Sequence, residues 1–223
     1  VFLREAVRLR GEGSRGLLRA FGRAHVALCH RLGATFIKVG QIASTRGDLL
    51  PPELVEELLE KLTRLTVDYL RAQIEAGAEA VQLFDTWAGL LDPQAYRHWV
   101  QPTHRRIASA LAQSGVPLIL YVHNGSHVID SIAESGADVI SLDWRVELPE
   151  VARRHGTRVS LQGNLDPCWL HAPRERIFEM VRELVEAAAP ARGHILNLGH
   201  GCLPDTPVEG VRAFTDAARA LGA

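Results

Sequence analysis

The stretch that constrains this chain most is HILNLGHGCLP, residues 194–204. Ile195, Leu196 and Leu198 make a short apolar run that breaks at Gly199-His200-Gly201. Such a segment reads as a buried parallel strand that delivers one imidazole, His200, to the rim of a sheet. The flanking glycines permit a tight turn and the close approach of a ligand. Four earlier stretches repeat the plan: AVQLFDTWAG, VPLILYVHNGS, VISLDW and VSLQGNLDP. Near-continuous apolar runs that alternate with amphipathic helical patterns indicate a parallel sheet covered by helices. No run leads into a GxGxxG or GxxxxGK[ST] loop, which argues against nucleotide binding. Five strand-and-helix units fit either an open sheet or part of an eight-stranded barrel. In both, the polar residues just past the strands face one crevice. Here these are Asp85 and Thr86, His123 and Asn124, Asp143 and Arg145, Asn164 and Asp166, and His200.

Helix boundaries are marked locally. Asp92-Pro93 and Asp166-Pro167 each read as an N-cap followed by proline at the first helical position, and Thr206-Pro207 reads as the start of the last helix. The first of these opens a helix to about residue 114. A shorter helix holds Val128, Ile129, Ile132 and Ala133 and stops at Gly136. Upstream, ELVEELLEKLTRLTVDYLRAQIEAG reads as one continuous helix, with Leu58, Leu59, Leu62, Leu65, Leu70 and Ile74 at helical spacing and Pro51-Pro52 at its start. Residues 17–32 carry a further amphipathic face, after a turn at 11–14.

An apolar content of 47% over 223 residues supports a sizeable core, and a net charge of −1 gives no basic footprint for nucleic acid. Cys29, Cys168 and Cys202 stand far apart, with no CxxC pair. That pattern points to a reducing compartment rather than a disulfide framework. No secretory apolar region and no run long enough to cross a bilayer are found, so a cytoplasmic location is expected. The initial Val1 reads as a fragment or as a literally translated GTG start.

Two resemblances follow from these stretches. LGATFIKVGQIASTRGDLLPPELVEEL, with Lys38-Val39-Gly40-Gln41 at its centre, resembles the UbiB-type atypical kinase-like family. Nothing like that family's β-lobe lysine, catalytic loop or Asp-Phe-Gly metal site follows, so a helical extension over residues 1–58 is expected rather than ATP chemistry. Residues 67–221 resemble uroporphyrinogen decarboxylase, through YLRAQIEAGAEAVQLFDTWAG, SGADVISLDWRVEL, LQGNLDP and NLGHGCLPDTP in that order. This second resemblance implies an α/β fold: a partial (β/α)8 TIM barrel over residues 59–223, with five βα units matching the fourth to eighth strands.

The same resemblance implies a carboxy-lyase that removes CO2 from the four acetate side chains of uroporphyrinogen, giving coproporphyrinogen on the path to haem. It implies a porphyrinogen substrate and no metal or organic cofactor. By motif, His200 matches a histidine that contacts a substrate carboxylate. Thr86 matches a hydroxyl position often filled by serine, and Phe84 an apolar residue packed on the macrocycle. Asp143 and Asn164 are expected to satisfy neighbouring backbone N–H groups, and Arg145 to be a solvated loop residue. The family's Arg-rich loop, its central aspartate and a tyrosine from a later loop have no counterpart in this sequence. The catalytic residues are therefore unassigned, and the chain alone is expected to be inactive.

A partial barrel would leave its first and last strands as apolar edges. Residues 1–58, a second copy of the chain or a barrel-completing partner are the candidate covers, and aggregation follows if there is none. Besides a fragment of a UbiB-type kinase-like protein, two alternatives stand beside the decarboxylase reading. One is an inactive fusion or subunit. The other is the zinc-dependent corrinoid methyltransferase branch of this barrel, for which His123 and Cys202 fall near suitable strand ends. Gly125 stands where that branch has its first thiolate, and two donors do not make a zinc site.

Overall fold

The computed structural model describes residues 52–222. The amphipathic stretch 17–32, the turn at 11–14 and the motif at 38–41 lie outside the described residues. The chain divides into two compact units, Val1–Ala72 and Gln73–Ala223.

Helix α1 (Pro52–Glu75) is continuous, as the leucine spacing requires. Lys61–Glu57 and Arg64–Glu60 pair one turn apart along it. Its end is closed by Gly77 N–H donating to the Ile74 carbonyl and Ala78 N–H to the Gln73 carbonyl. Those two bonds make a Schellman cap, and they need a left-handed residue, which Gly77 supplies at φ 101°.

The second unit carries five parallel strands: β1 (Val81–Asp85), β2 (Leu118–Val122), β3 (Val139–Ser141), β4 (Ser160–Gln162) and β5 (His194–Ile195). Their spatial order is their chain order, β1-β2-β3-β4-β5. A doubly wound sheet reverses direction at a switch point; this one never does, as in a barrel. The sheet also curls. Gln82 on β1 meets Gln162 on β4, with Nε2 3.3 Å from Oε1. In a flat sheet three strand spacings would hold their backbones about 14 Å apart. Curvature brings the amides together across the concave face.

One register row crosses all five strands: Phe84, Tyr121, Ser141, Gln162 and Ile195. Side chains in register share a face, and the Gln82–Gln162 contact lies on that same concave side. On the opposite face Leu118, Leu120, Val122, Ile140 and Leu161 are buried.

The strands are shorter than the apolar runs. β3 stops at Ser141 rather than Trp144, and β5 is two residues long. After β4 the chain passes a cis peptide at Gly163-Asn164, and pairing resumes as a single bridge between Leu165 and Leu198. The expectation of a buried strand at residues 194–200 needs correction. Ile195 is 43% exposed, because β5 has a neighbour on one side only among the described strands.

Asp92 caps its helix as expected, its carboxylate accepting from Gln94 N–H and Ala95 N–H at 2.8 and 2.9 Å. The helix, however, is not uniform. α2 (Pro93–Ala95) passes through a π-helical turn (Tyr96–Val100) into α3 (Gln101–Leu111). Pro102 accounts for the break, since its ring has no N–H and clashes with the carbonyl four residues back. A 3-10 turn (Ser126–Val128) leads into α4 (Ile129–Ala133), and α5 (Leu148–His155) follows β3. Asp166 caps only a 3-10 turn (Pro167–His171). The long helix α6 (Arg174–Ala188) waits until after Pro173. α7 (Val208–Ala220) opens just past Thr206-Pro207. α6 and α7 form one core with the end of the sheet, where Ile177 and Val181 pack with Ala213, Ala217 and Leu165.

Candidate functional site at the strand ends

The polar residues past the strands gather around one hydroxyl. Tyr121, in the concave row of β2, is 5% exposed and donates from Oη to the Gly199 carbonyl at 3.0 Å. Two imidazoles meet the same oxygen: His123 Nδ1 and His200 Nδ1, each 3.1 Å away. Their rings stack on each other, with centroids 4.6 Å apart. Phe84 meets the Tyr121 ring edge-on at 5.9 Å, and Trp144 lies 5.8 Å from the His200 ring. An apolar, aromatic wall therefore flanks the two imidazoles.

Asp143 anchors the polar side. Its carboxylate is 1% exposed and accepts from Asn124 N–H at 3.1 Å and Arg145 N–H at 3.0 Å. The same carboxylate lies 3.2 Å from His123 Nδ1 and 3.1 Å from the Arg145 guanidinium. Arg145 also donates to the Asn124 side chain and lies over the Trp144 ring at 3.9 Å. It is thus held in a network at about half exposure, rather than being a free solvated residue. Asn124 turns the chain in a left-handed conformation, at φ 57°, which asparagine tolerates better than most residues.

These surroundings shift two groups. Burial pushes the Tyr121 hydroxyl up to about 12, with the Asp143 charge adding to the shift and Arg145 opposing it. His123 is held below the ordinary imidazole value, chiefly by burial. Asp143 opposes that shift, while His200 and Arg145 favour it.

A second polar group lies beneath the end of β1. Asp85 Oδ2 is 3.1 Å from His104 Nε2, and His104 Nδ1 is 3.1 Å from the Tyr96 hydroxyl. The other Asp85 oxygen accepts from Ala88 N–H and Trp87 N–H. Burial alone would raise the Asp85 carboxyl. The bond and charge of His104, with the two backbone donors, overcome that and hold it below its ordinary value.

The residues singled out by sequence are distributed as follows. Phe84 and His200 are brought together through Tyr121. Thr86 is exposed just past β1, and its hydroxyl makes no hydrogen bond to the cluster. Asp143 caps backbone N–H groups as expected. Asn164 does the reverse, donating from Nδ2 to the carbonyls of Asp143 and Val146 at 2.9 and 2.8 Å. Cys202 is exposed, and among the described residues no three His, Cys, Asp or Glu side chains converge as metal ligands. Tyr121 is hidden from a sequence reading inside an apolar run. Its only signal was its place two residues before His123, on the same face of a strand. His104, inside a helix, had no such signal.

The family model described as uroporphyrinogen decarboxylase matches residues 42–221. Among curated relatives, uroporphyrinogen decarboxylase of Hahella chejuensis is 44% identical over 176 residues, 77% of this chain and 49% of its own length. That of Streptomyces coelicolor is 47% identical over 155 residues, 70% of this chain and 44% of its own. The chain thus spans about half the length of these relatives. A solved methyltransferase from Methanosarcina mazei superposes with a TM-score of 0.71 at 24% identity, covering 89% of this chain and 57% of that one, and it shares the fold. With the matched segment running through all five strands and the His200 turn, the chain belongs to the uroporphyrinogen decarboxylase family.

Proposed function

We propose that the concave face of residues 73–222 is the late-strand wall of a cleft for a polycarboxylated tetrapyrrole, and that the reaction it serves is loss of CO2 from the acetate arms of uroporphyrinogen. The observation that carries this reading is the pairing of Phe84 and Trp144, an apolar and an aromatic ring surface, with His200 and Arg145 at the same rim. A macrocycle of four apolar pyrrole rings fringed by carboxylates calls for that combination. In the reaction, a proton added to a pyrrole carbon makes a cationic ring. The C–C bond electrons of the departing CO2 flow into that ring, a second proton fills the freed carbon valence, and the first proton then leaves the ring carbon to restore the pyrrole, so one proton is consumed for each CO2 lost. Fixed charges stabilise the cation and hold the carboxylates.

The chain by itself is proposed to bind without turnover. Among the described residues, Asp85 and Asp143 are each tied to a histidine, and neither is free to gather pyrrole N–H groups. Residues 1–58 are proposed to be a helical extension like the UbiB-type kinase-like family, a reading that rests on their sequence run alone. The test supplies uroporphyrinogen to the purified chain, alone and together with the amino-terminal half of a curated relative. Coproporphyrinogen formed only in the mixture is the expected result. Turnover by the chain alone would refute the inactivity, and no product in a mixture shown to form a complex would refute the decarboxylase reading.

A further inference from the structure

The stacked imidazoles His123 and His200 do more than line a wall. Tyr121 has one hydroxyl proton, and it goes to the Gly199 carbonyl, which can only accept. His200 Nδ1, 3.1 Å from that oxygen, must therefore present its own N–H. His123 Nδ1 faces both the Tyr121 oxygen and the Asp143 carboxylate, so it too carries a proton. The hydrogen-bond network thus assigns one tautomer to both rings. It leaves both Nε2 atoms as bare lone pairs with no hydrogen-bond partner among the described residues. Two adjacent lone pairs repel an anion until a proton arrives.

We propose that His123 and His200 form one two-imidazole clamp for a substrate carboxylate, with Tyr121 as its positioning residue, and that binding takes up one proton from solvent. The inference rests on the cleft proposed above and adds His123 and the proton to it. When the carboxylate arrives, one Nε2 gains a proton, the anion accepts from it, and the pair carries a single positive charge. Two charges on rings 4.6 Å apart would repel each other, so the uptake stops at one. The surrounding groups fit this count. Asp143 beside His123 favours the cation, Arg145 on the same carboxylate limits it, and Tyr121 stays neutral. Asp85, at the end of β1, is committed to His104.

The test titrates the full chain with coproporphyrin III, a stable tetracarboxylate, from about pH 5.5 to about pH 8.5, which brackets ordinary histidine. Calorimetry in two buffers of different ionisation heat counts protons. Expected are uptake of about one proton and affinity that weakens by up to about tenfold per pH unit on the alkaline side. His123→Gln and His200→Gln should each weaken binding about tenfold, the worth of a charge-assisted bond, and flatten that slope. Nitrogen-15 NMR of the unliganded wild-type chain needs no variant and should show both rings protonated at Nδ1. Binding with the same affinity at every pH, binding indifferent to His123→Gln, or the opposite tautomer would overturn the clamp and leave the cleft standing. No binding of coproporphyrin III at any pH would overturn the cleft and the clamp with it.

Discussion

At the residue scale, the site is set by which polar groups have only one way to be satisfied. Tyr121 is buried with three partners, so Tyr121→Phe strands the Gly199 carbonyl and frees both imidazoles to change tautomer. Loss of about 1–2 kcal/mol in urea unfolding is expected. The variant should also remove one late step from the alkaline absorbance titration, the hydroxyl that burial pushes up to about 12. Unchanged stability with an unchanged titration would contradict the hub assigned to this side chain. Asp85 makes a prediction of opposite sign on the pH axis. Its carboxyl lies below its ordinary value in the fold. Its contribution is therefore complete above the unfolded carboxyl's range, near about pH 4, and is lost as pH falls through the lower folded value. Asp85→Asn should cost about 2 kcal/mol at neutral pH, with the gap to wild type closing in strong acid. Denaturant midpoints across the acid range check this. A gap that stayed constant would show that the His104 interaction does not depend on the carboxylate charge.

At the element scale, the repeating plan of apolar run, polar turn and helix was legible, and so was the rim where the turns meet. Periodicity reports burial, and the runs of β2, β3 and β4 are buried, as are Leu58 and Leu70 of α1, whereas Ile195 of the last run and Leu65 of α1 are exposed. The lengths of β3 to β5 were not legible, because a strand ends where the backbone finds other partners. Those partners, such as the Asp143 carboxylate for Asn124 N–H and Arg145 N–H, come from distant sequence. The same holds for Tyr121. A residue of an apolar run looks like core until its hydroxyl is seen meeting a loop 78 positions away. From sequence Gly199 reads as conformational freedom for a turn, yet in the fold its reason is space. A Cβ there would lie 2.3 Å from Trp144 N, a backbone atom that cannot step aside. Gly199→Ala should therefore push the His200 turn off the β3 loop and destabilise the fold by about 3 kcal/mol, the upper end of the overpacking range. It should also break the stacking of the two imidazoles. A thermal melt with histidine chemical shifts decides it, and an unshifted melt would show that the turn gives way without cost.

At the scale of the whole sheet, curvature and exposure are linked. The curl that brings Gln82 to Gln162 makes a concave face, and the row along that face is polar in its middle and apolar at its two ends. Those ends are Phe84, 65% exposed, and Ile195, 43% exposed. They sit on β1 and β5, the strands with one neighbour each among those described. A strand edge that carries apolar side chains and unpaired backbone groups is a template for further pairing. The candidate covers for the two edges are residues 1–58, another polypeptide and another copy of this chain, and the last is the one a measurement on the chain alone can detect. In isolation the chain is therefore expected to self-associate, with sedimentation velocity showing larger species that grow from about 10 to about 100 µM, a range that separates weak contacts from none. Ile195→Lys places a charge on the β5 edge, a device by which natural sheets discourage such pairing, and should shift the distribution back toward monomer. Adding the amino-terminal half of a curated relative should have the same effect, since it would compete for the same edges. If the wild-type chain sediments as a monomer throughout the range, the open edges are not available for pairing and this account of them fails.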